Sequence, residues 1–407
     1  MHILIIHQAF AALDEPGGTR HYELARHLVQ RGHKVTIIAS TVSYITGEKT
    51  PMLANREVEH GLTILRAYTC SALHKSFVHR TFAFFSFMFS SFFIGLGVKN
   101  VDLVWGTSPP IFQGWTAWLL ARLKRIPFLF EVRDLWPAFA IAVGVLTSKA
   151  IIRMAEWLER FLYSHADRVM VNSPGYLVHV NEHGAHNVEL IPNGADPEMF
   201  DPADNGEVFR SLHMLEGKFV VLYAGAHGMS NDLGVVLEAA SLLKDQPAIQ
   251  VVLLGDGKEK PTLQKHAEKA GLANVTFLPS VPKSRMAGAL AGADACIAIL
   301  KPLEEYKTTY PNKVFDYMCA GRPVILAIDG VIRTVVEAAK CGIFVQPGDP
   351  KALAEAIRFL VKDLARSRRM GRNGRRYVEL HFSRSTMADN LVRVMEDMIA
   401  CHSISRR

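Results

Sequence analysis

Twice along this chain an apolar run leads through a glycine loop into an amphipathic helix, and that repeated plan restricts the fold to the α/β class. The first copy is His2 to His7 (HILIIH), the loop Gln8 to Pro16, Gly17-Gly18-Thr19 and a helix over Arg20 to Gln30. The second is Lys218 to Ala224, the loop Gly225-Ala-His-Gly228 and a helix over Asp232 to Leu243. Further strands are expected at Lys34 to Ser40, Thr63 to Ala67, Asp102 to Gly106, Pro127 to Val132, Arg168 to Asn172 and Val188 to Ile191. The second half adds Val251 to Gly255, Asn274 to Leu278 and Asp294 to Ile299. A chain of 407 residues is too long for one ordinary domain and suits two, each with its own core. The turn Pro192-Asn-Gly-Ala-Asp-Pro197 sets the expected limits: 1–197, 198–383 and an amphipathic tail, 384–407.

With 46 basic against 39 acidic residues the net charge is +7, which favours anionic partners. Basic residues cluster only over Arg366 to Arg376, without interleaved aromatics or a nucleic-acid module, so no nucleic-acid partner is expected. Five separated cysteines supply no zinc or iron–sulfur pair and suit a reducing cytoplasm. The strand-like start HILIIH does not read as a secretory signal, so none is expected.

A glycine loop opening a helix lets backbone N–H groups approach an anion. Neither loop carries the full dinucleotide fingerprint or a P-loop lysine, which argues against a NAD-dependent dehydrogenase, and a plain structural turn is the alternative reading for Gly17, Gly18 and Thr19. A stronger signal lies in Thr308 to Ile325, TTYPNKVFDYMCAGRPVI. Pro311 reads as a first-turn residue, Val314, Tyr317 and Met318 share a helix face, and Gly321 stops the helix before a buried strand. Lys313 then opposes the helix dipole by about 0.3–1 kcal/mol, a conflict that a bound phosphate removes. Asp316 falls on the same side and could accept from sugar hydroxyls; a solvated Lys–Asp pair is the alternative.

Thr81 to Val98 carries no charge and seven phenylalanines. As a helix it would be about 27 Å long, yet the next strand must rejoin the same sheet, so a crossing is excluded. Lys75, Arg80 and Lys99 flank it. The segment reads either as an interfacial helix on an anionic membrane or as one covered by the domain's own core.

Thr308 to Ile325 resembles the C-terminal signature of the retaining family 4 glycosyltransferases, and the likeness runs over nearly the whole chain. The family has two glutamates eight positions apart where this chain has Thr308 and Asp316. The Pro-Asn-Lys form is most similar to transferases of bacterial O-antigen and capsule synthesis, including fucosaminyl types. The resemblance implies two facing Rossmann-like domains (the GT-B fold), with the final helix packed back on the first. It also implies a nucleoside diphosphate sugar donor, expected to be UDP-linked, carrying an N-acetylated amino or deoxy sugar among the options. The implied acceptor is a polyprenyl-diphosphate-linked glycan at the inner face of the plasma membrane, where the enzyme would sit peripherally. Retention by front-face attack, with no cofactor or metal, completes the picture.

Residue by residue, the resemblance places Gly17, Gly18 and Thr19 at the donor phosphates or the acceptor. Gly225, His227 and Gly228 form the donor loop, which lacks the family's usual arginine and lysine, so Lys313 becomes the diphosphate's charge partner and Asp316 the ribose contact. Val281 matches the base-binding neighbourhood and Glu337 a position near the donor. At the end of strand Pro127 to Val132 the family's His-Asp pair is replaced by Arg133-Asp134. Asp134 is thereby a candidate for the reacting centre and Arg133 for an acceptor phosphate, unless the two pair to pin the loop. A nucleotide-sugar epimerase and a non-catalytic membrane-peripheral sugar-nucleotide sensor are the competing readings.

Overall fold

Two twisted sheets organise the chain, one in each of two units. The computed structural model describes residues 1–15, 17–43, 47, 49, 56–59, 61–70 and 77–404; Pro16 and Lys75 lie outside the described residues. Met1–Leu13, Gly17–Pro192 and Ser385–Arg407 belong to the first unit, and Asp14–Pro16 and Asn193–Arg384 to the second.

The first sheet runs, edge to edge, Arg56–Glu59, Leu62–Ala67, Lys34–Ser40, His2–His7, Leu103–Ser108, Phe128–Val132, Arg168–Val171, Val188–Leu190. Only the edge strand Arg56–Glu59 is antiparallel. His2–His7 is buried at every position, as a central strand covered on both faces must be. Its alternate residues enter two cores: Ile3 and Ile5 pack with Leu24, Leu28 and Trp105, whereas Leu4 and Ile6 pack with Phe87, Leu120 and Phe130. The closing helix Arg384–Ile404 places Met387, Leu391 and Met395 in the first of these cores, so its apolar stripe completes the first unit.

The second sheet runs Val275–Leu278, Ile249–Leu254, Phe219–Ala224, Ala295–Ile299, Val324–Ala327, Gly342–Phe344, and is parallel throughout. In each sheet the strand order reverses beside the first strand of the repeat. Such switch points open a crevice beyond the strands' carboxyl ends, where ligands bind in α/β folds.

The break between units falls after Pro192 rather than at Pro197. Ala195 N donates to Phe382 O, Arg384 N to Ala195 O and Arg384 Nη2 to Gly194 O, which fixes Asn193 to Asp196 to the second unit. A Cβ on Gly194 would lie 2.1 Å from Phe382 O, so the turn tolerates no side chain there. Within the basic C-terminal run, Arg375 Nη1 donates to the carbonyls of Phe200 and Cys319, a packing role.

The phenylalanine-rich segment forms one helix, Phe77–Gly97. The core covers one face of it and leaves another exposed. Phe87 is fully buried, with Phe84 and Phe92 packed against core residues. Phe82 (64 % exposed), Phe85, Phe89 (60 %), Phe93 (68 %) and Leu96 form the outer stripe. Among the described residues, no helix is long and apolar enough to cross a membrane.

Candidate functional site

In the second unit the site grows from the carboxyl end of Phe219–Ala224. Gly225 follows with φ +150°, and Lys313 reaches it from helix Asn312–Cys319. Lys313 Nζ donates to Tyr223 Oη at 2.8 Å and lies 4.0 Å from that ring's centroid, a cation–π contact. A Cβ on Gly225 would stand 2.7 Å from Nζ, so the glycine is what admits the cation. Among the described residues Lys313 has no carboxylate partner. Burial lowers its pKa to about 7.

His227, two residues beyond Gly225, is fully buried with neither ring nitrogen hydrogen-bonded. Burial lowers its pKa to about 4, helped by nearby Lys260 and Lys313, so the imidazole is neutral near pH 7. An unpaired buried donor and acceptor are costly, which suits a position that a ligand completes. Gly255 and Gly257 close over the loop: added Cβ atoms would lie 1.8 Å from Gly225 O and 2.4 Å from His227 O. Lys260 is tethered beside them, donating to Asp256 Oδ1 and to the carbonyls of Gly255 and Leu278. Gly228 leads into the turn Met229–Asn231.

Lys313 and Asp316 are not a solvated pair. Asp316 is buried, and its Oδ2 accepts from Lys283 Nζ at 2.5 Å and from Asn312 Nδ2 at 3.3 Å. Thr308 Oγ1 donates to Glu305 O at 2.5 Å. Glu337 lies in the last turn of helix Val331–Ala338, accepting from Arg333 Nε at 2.7 Å, and Val281 packs on the second unit's core. Thus the cluster gathers Gly225, His227, Gly228 and Lys313, while Glu337 and Val281 make their contacts outside it.

The first unit carries a second polar cluster at the ends of its central strands. Glu131, fully buried on Phe128–Val132, accepts from Arg20 Nε at 2.9 Å and meets His21 Nε2 at 2.5 Å. Burial alone would raise its pKa, but His21 and Arg20 hold it well below the usual carboxylate range. Arg20 also donates to the carbonyls of Pro192 and Ile191. Arg133 pins the loop, as one reading expected, but through other partners. Nε donates to Thr107 Oγ1 and Ser108 O, and Nη2 to Pro109 O and His7 Nε2. Asp134 Oδ1 is buried and takes no hydrogen bond. Burial raises its pKa to about 6 against the pull of Arg133, with Glu159 adding to the rise. Thr19 Oγ1 donates to Glu23 Oε1 at 2.6 Å instead of capping its helix. A Cβ on Gly17 would lie 2.6 Å from that of Ala11, whereas Gly18 has open space.

Sequence reasoning passed over Tyr223, Lys260, Lys283, His7, Arg20, His21 and Glu131. Two signals were present: Glu131 sits inside the otherwise apolar FLFEV, and Arg20 puts a cation in a first turn just as Lys313 does. Tyr223 gave none, being one more aromatic residue in an apolar strand.

Two Rossmann-like domains, each with a polar cluster at its switch point, are the architecture of the GT-B fold. Residues 17–194 match the glycosyl transferase 4-like domain and residues 204–377 match glycosyl transferases group 1, so each half of the chain is similar to a glycosyltransferase domain. The putative colanic acid biosynthesis glycosyl transferase WcaI of Escherichia coli is 25% identical over 356 residues, 83% of this chain and 86% of that one. Sucrose-phosphate synthase from Thermosynechococcus elongatus superposes with a TM-score of 0.78 at 19% identity, covering 98% of this chain and 100% of that one. HepE of Anabaena, in complex with UDP and glucose, gives 0.74 at 15% identity with the same coverage of 98% and 100%.

Proposed function

We propose that the protein is a retaining glycosyltransferase that moves a sugar from a uridine diphosphate donor to a polyprenyl-diphosphate-linked glycan in surface-polysaccharide synthesis. The observation that carries the donor half is Lys313, a desolvated amine held by Tyr223 over Gly225 with no carboxylate partner among the described residues. A diphosphate supplies the missing charge. The bond from the sugar's anomeric carbon to the diphosphate breaks with its electron pair on the phosphate oxygen, and Lys313 and the loop N–H groups stabilise that oxygen. The acceptor hydroxyl bonds to the same carbon from the same face and gives its proton to the leaving oxygen. Asp134 orients that hydroxyl, and Arg133 steadies the loop carrying Asp134. Asp316 takes the ribose hydroxyls once Lys283 shares it. No metal or cofactor enters these steps. The UDP and glucose bound to HepE and the polysaccharide named for WcaI support the donor and pathway class.

The acceptor half rests on helix Phe77–Gly97. Its stripe of Phe82, Phe85, Phe89, Phe93 and Leu96 faces solvent, and Lys99 and Arg125 are exposed near its end. Such a stripe with basic neighbours suits peripheral attachment to the anionic inner leaflet, where a lipid-linked acceptor resides. Calorimetric titration with UDP tests the donor site. Lys313→Ala should weaken binding by about ten- to a hundredfold with the fold intact, the loss of one charge-assisted hydrogen bond; unchanged affinity would sink the assignment.

A further inference from the structure

Beside Asp134, whose pKa Glu159 helps to raise, one group of side chains in the first unit has the make-up of a divalent-metal site. Glu159 projects from helix Lys149–His165, while His179 lies on helix Leu177–Glu182 and His183 directly follows it. Four positions apart, the two histidines share a face. One ligand atom from each of the three residues lies within 4.8 Å of the other two.

The surrounding contacts already orient these ligands. Glu159 has a side chain only 1 % exposed, and its Oε1 accepts from Tyr163 Oη at 3.0 Å and lies 2.8 Å from His179 Nε2. His183 Nδ1 lies 2.8 Å from His179 O, so Nδ1 carries the proton and Nε2 keeps its lone pair. A ring nitrogen donating to a carbonyl is the usual support for a metal-binding imidazole. The two rings stack with centroids 3.9 Å apart, bringing both edges to the same carboxylate.

We propose that Glu159, His179 and His183 bind a zinc-class divalent cation. Two imidazoles and one carboxylate match zinc and its neighbours rather than calcium or magnesium, which take all-oxygen shells. The ion replaces the proton between His179 Nε2 and Glu159, and that proton moves to Nδ1 or to solvent. Three protein ligands leave a fourth position for water. The cation ties helix Lys149–His165 to the segment Leu177 to His183, separately from the metal-free transfer step proposed above.

Full-length protein stripped with chelator, then titrated with Co²⁺, tests this through the visible absorption of the bound ion. One equivalent should give a saturable tetrahedral-type spectrum, which Zn²⁺ displaces. His183→Gln and Glu159→Gln should each weaken Co²⁺ binding by more than about tenfold, the least that even an outer-shell change costs. Should Glu159→Gln fail to fold, as judged by circular dichroism, His183→Gln, at a partly exposed position, still decides. Absence of the spectrum, or a His183→Gln protein that binds Co²⁺ like the unaltered chain, would overturn the site and leave a simple Glu–His ion pair.

Discussion

Lys313 is charged in free protein only below about pH 7, because burial lowers its pKa, whereas a bound diphosphate holds the proton on. UDP affinity should therefore fall as pH rises from 7 to 9, by up to about tenfold per unit, and binding should take up a proton. Calorimetry in buffers of different ionisation enthalpy reads both effects, and Lys313→Met should flatten the profile. Asp134 bears a shift of opposite consequence. Its folded pKa of about 6 lies above the usual 3.8, so folding takes up a proton between those values and the ionised group destabilises the protein above pH 6. Asp134→Asn should raise stability at pH 7.5 by roughly 1–3 kcal/mol, a gain that vanishes below pH 4, while transfer activity falls. Thermal melts across pH measure the first part. Lys313 was legible in the sequence because it violates a local rule. Its partner Tyr223 was not, since nothing in FVVLYA separates a packing tyrosine from one that holds a cation.

Helix Asn312–Cys319 is tethered to Lys283 of helix Lys283–Ala291 through Asp316, a buried ion pair. Breaking such a pair leaves an uncompensated charge, so Asp316→Ala should cost about 3–5 kcal/mol, and Lys283→Met with Asp316→Leu should recover most of it. Chemical denaturation of the single and double variants measures the difference. Helix Phe77–Gly97 divides its phenylalanines by face. Changing Phe82, Phe89 and Phe93 to serine, with Lys99→Glu, should release the protein from anionic vesicles and leave its melting temperature nearly unchanged. Phe87→Ala should instead lower stability by about 3–5 kcal/mol. A parent chain that ignores anionic vesicles in a flotation assay would contradict the membrane reading. The sequence showed that this helix is apolar all round. It could not show which face the sheet covers, because that depends on helix Phe112–Lys124 packing beside it.

At the scale of the whole chain, the repeated strand, loop and helix made two Rossmann-like domains legible, because buried parallel strands are continuous apolar runs. The domain limit was less so: the turn beginning at Pro192 belongs to the second unit through hydrogen bonds to Phe382 and Arg384, contacts between residues far apart in sequence. The clamp of Arg20 and His21 on Glu131 was hidden for the same reason. Transfer itself is tested most directly by incubating the protein with radiolabelled UDP-sugars, with and without a lipid-linked glycan fraction, and following both donor and lipid. Label should enter the lipid only when donor and acceptor are both present, with the anomeric configuration retained, and Lys313→Ala should abolish it. Conversion of the UDP-sugar to another sugar without acceptor, or tight UDP-sugar binding with no label transferred from any donor, would contradict the account.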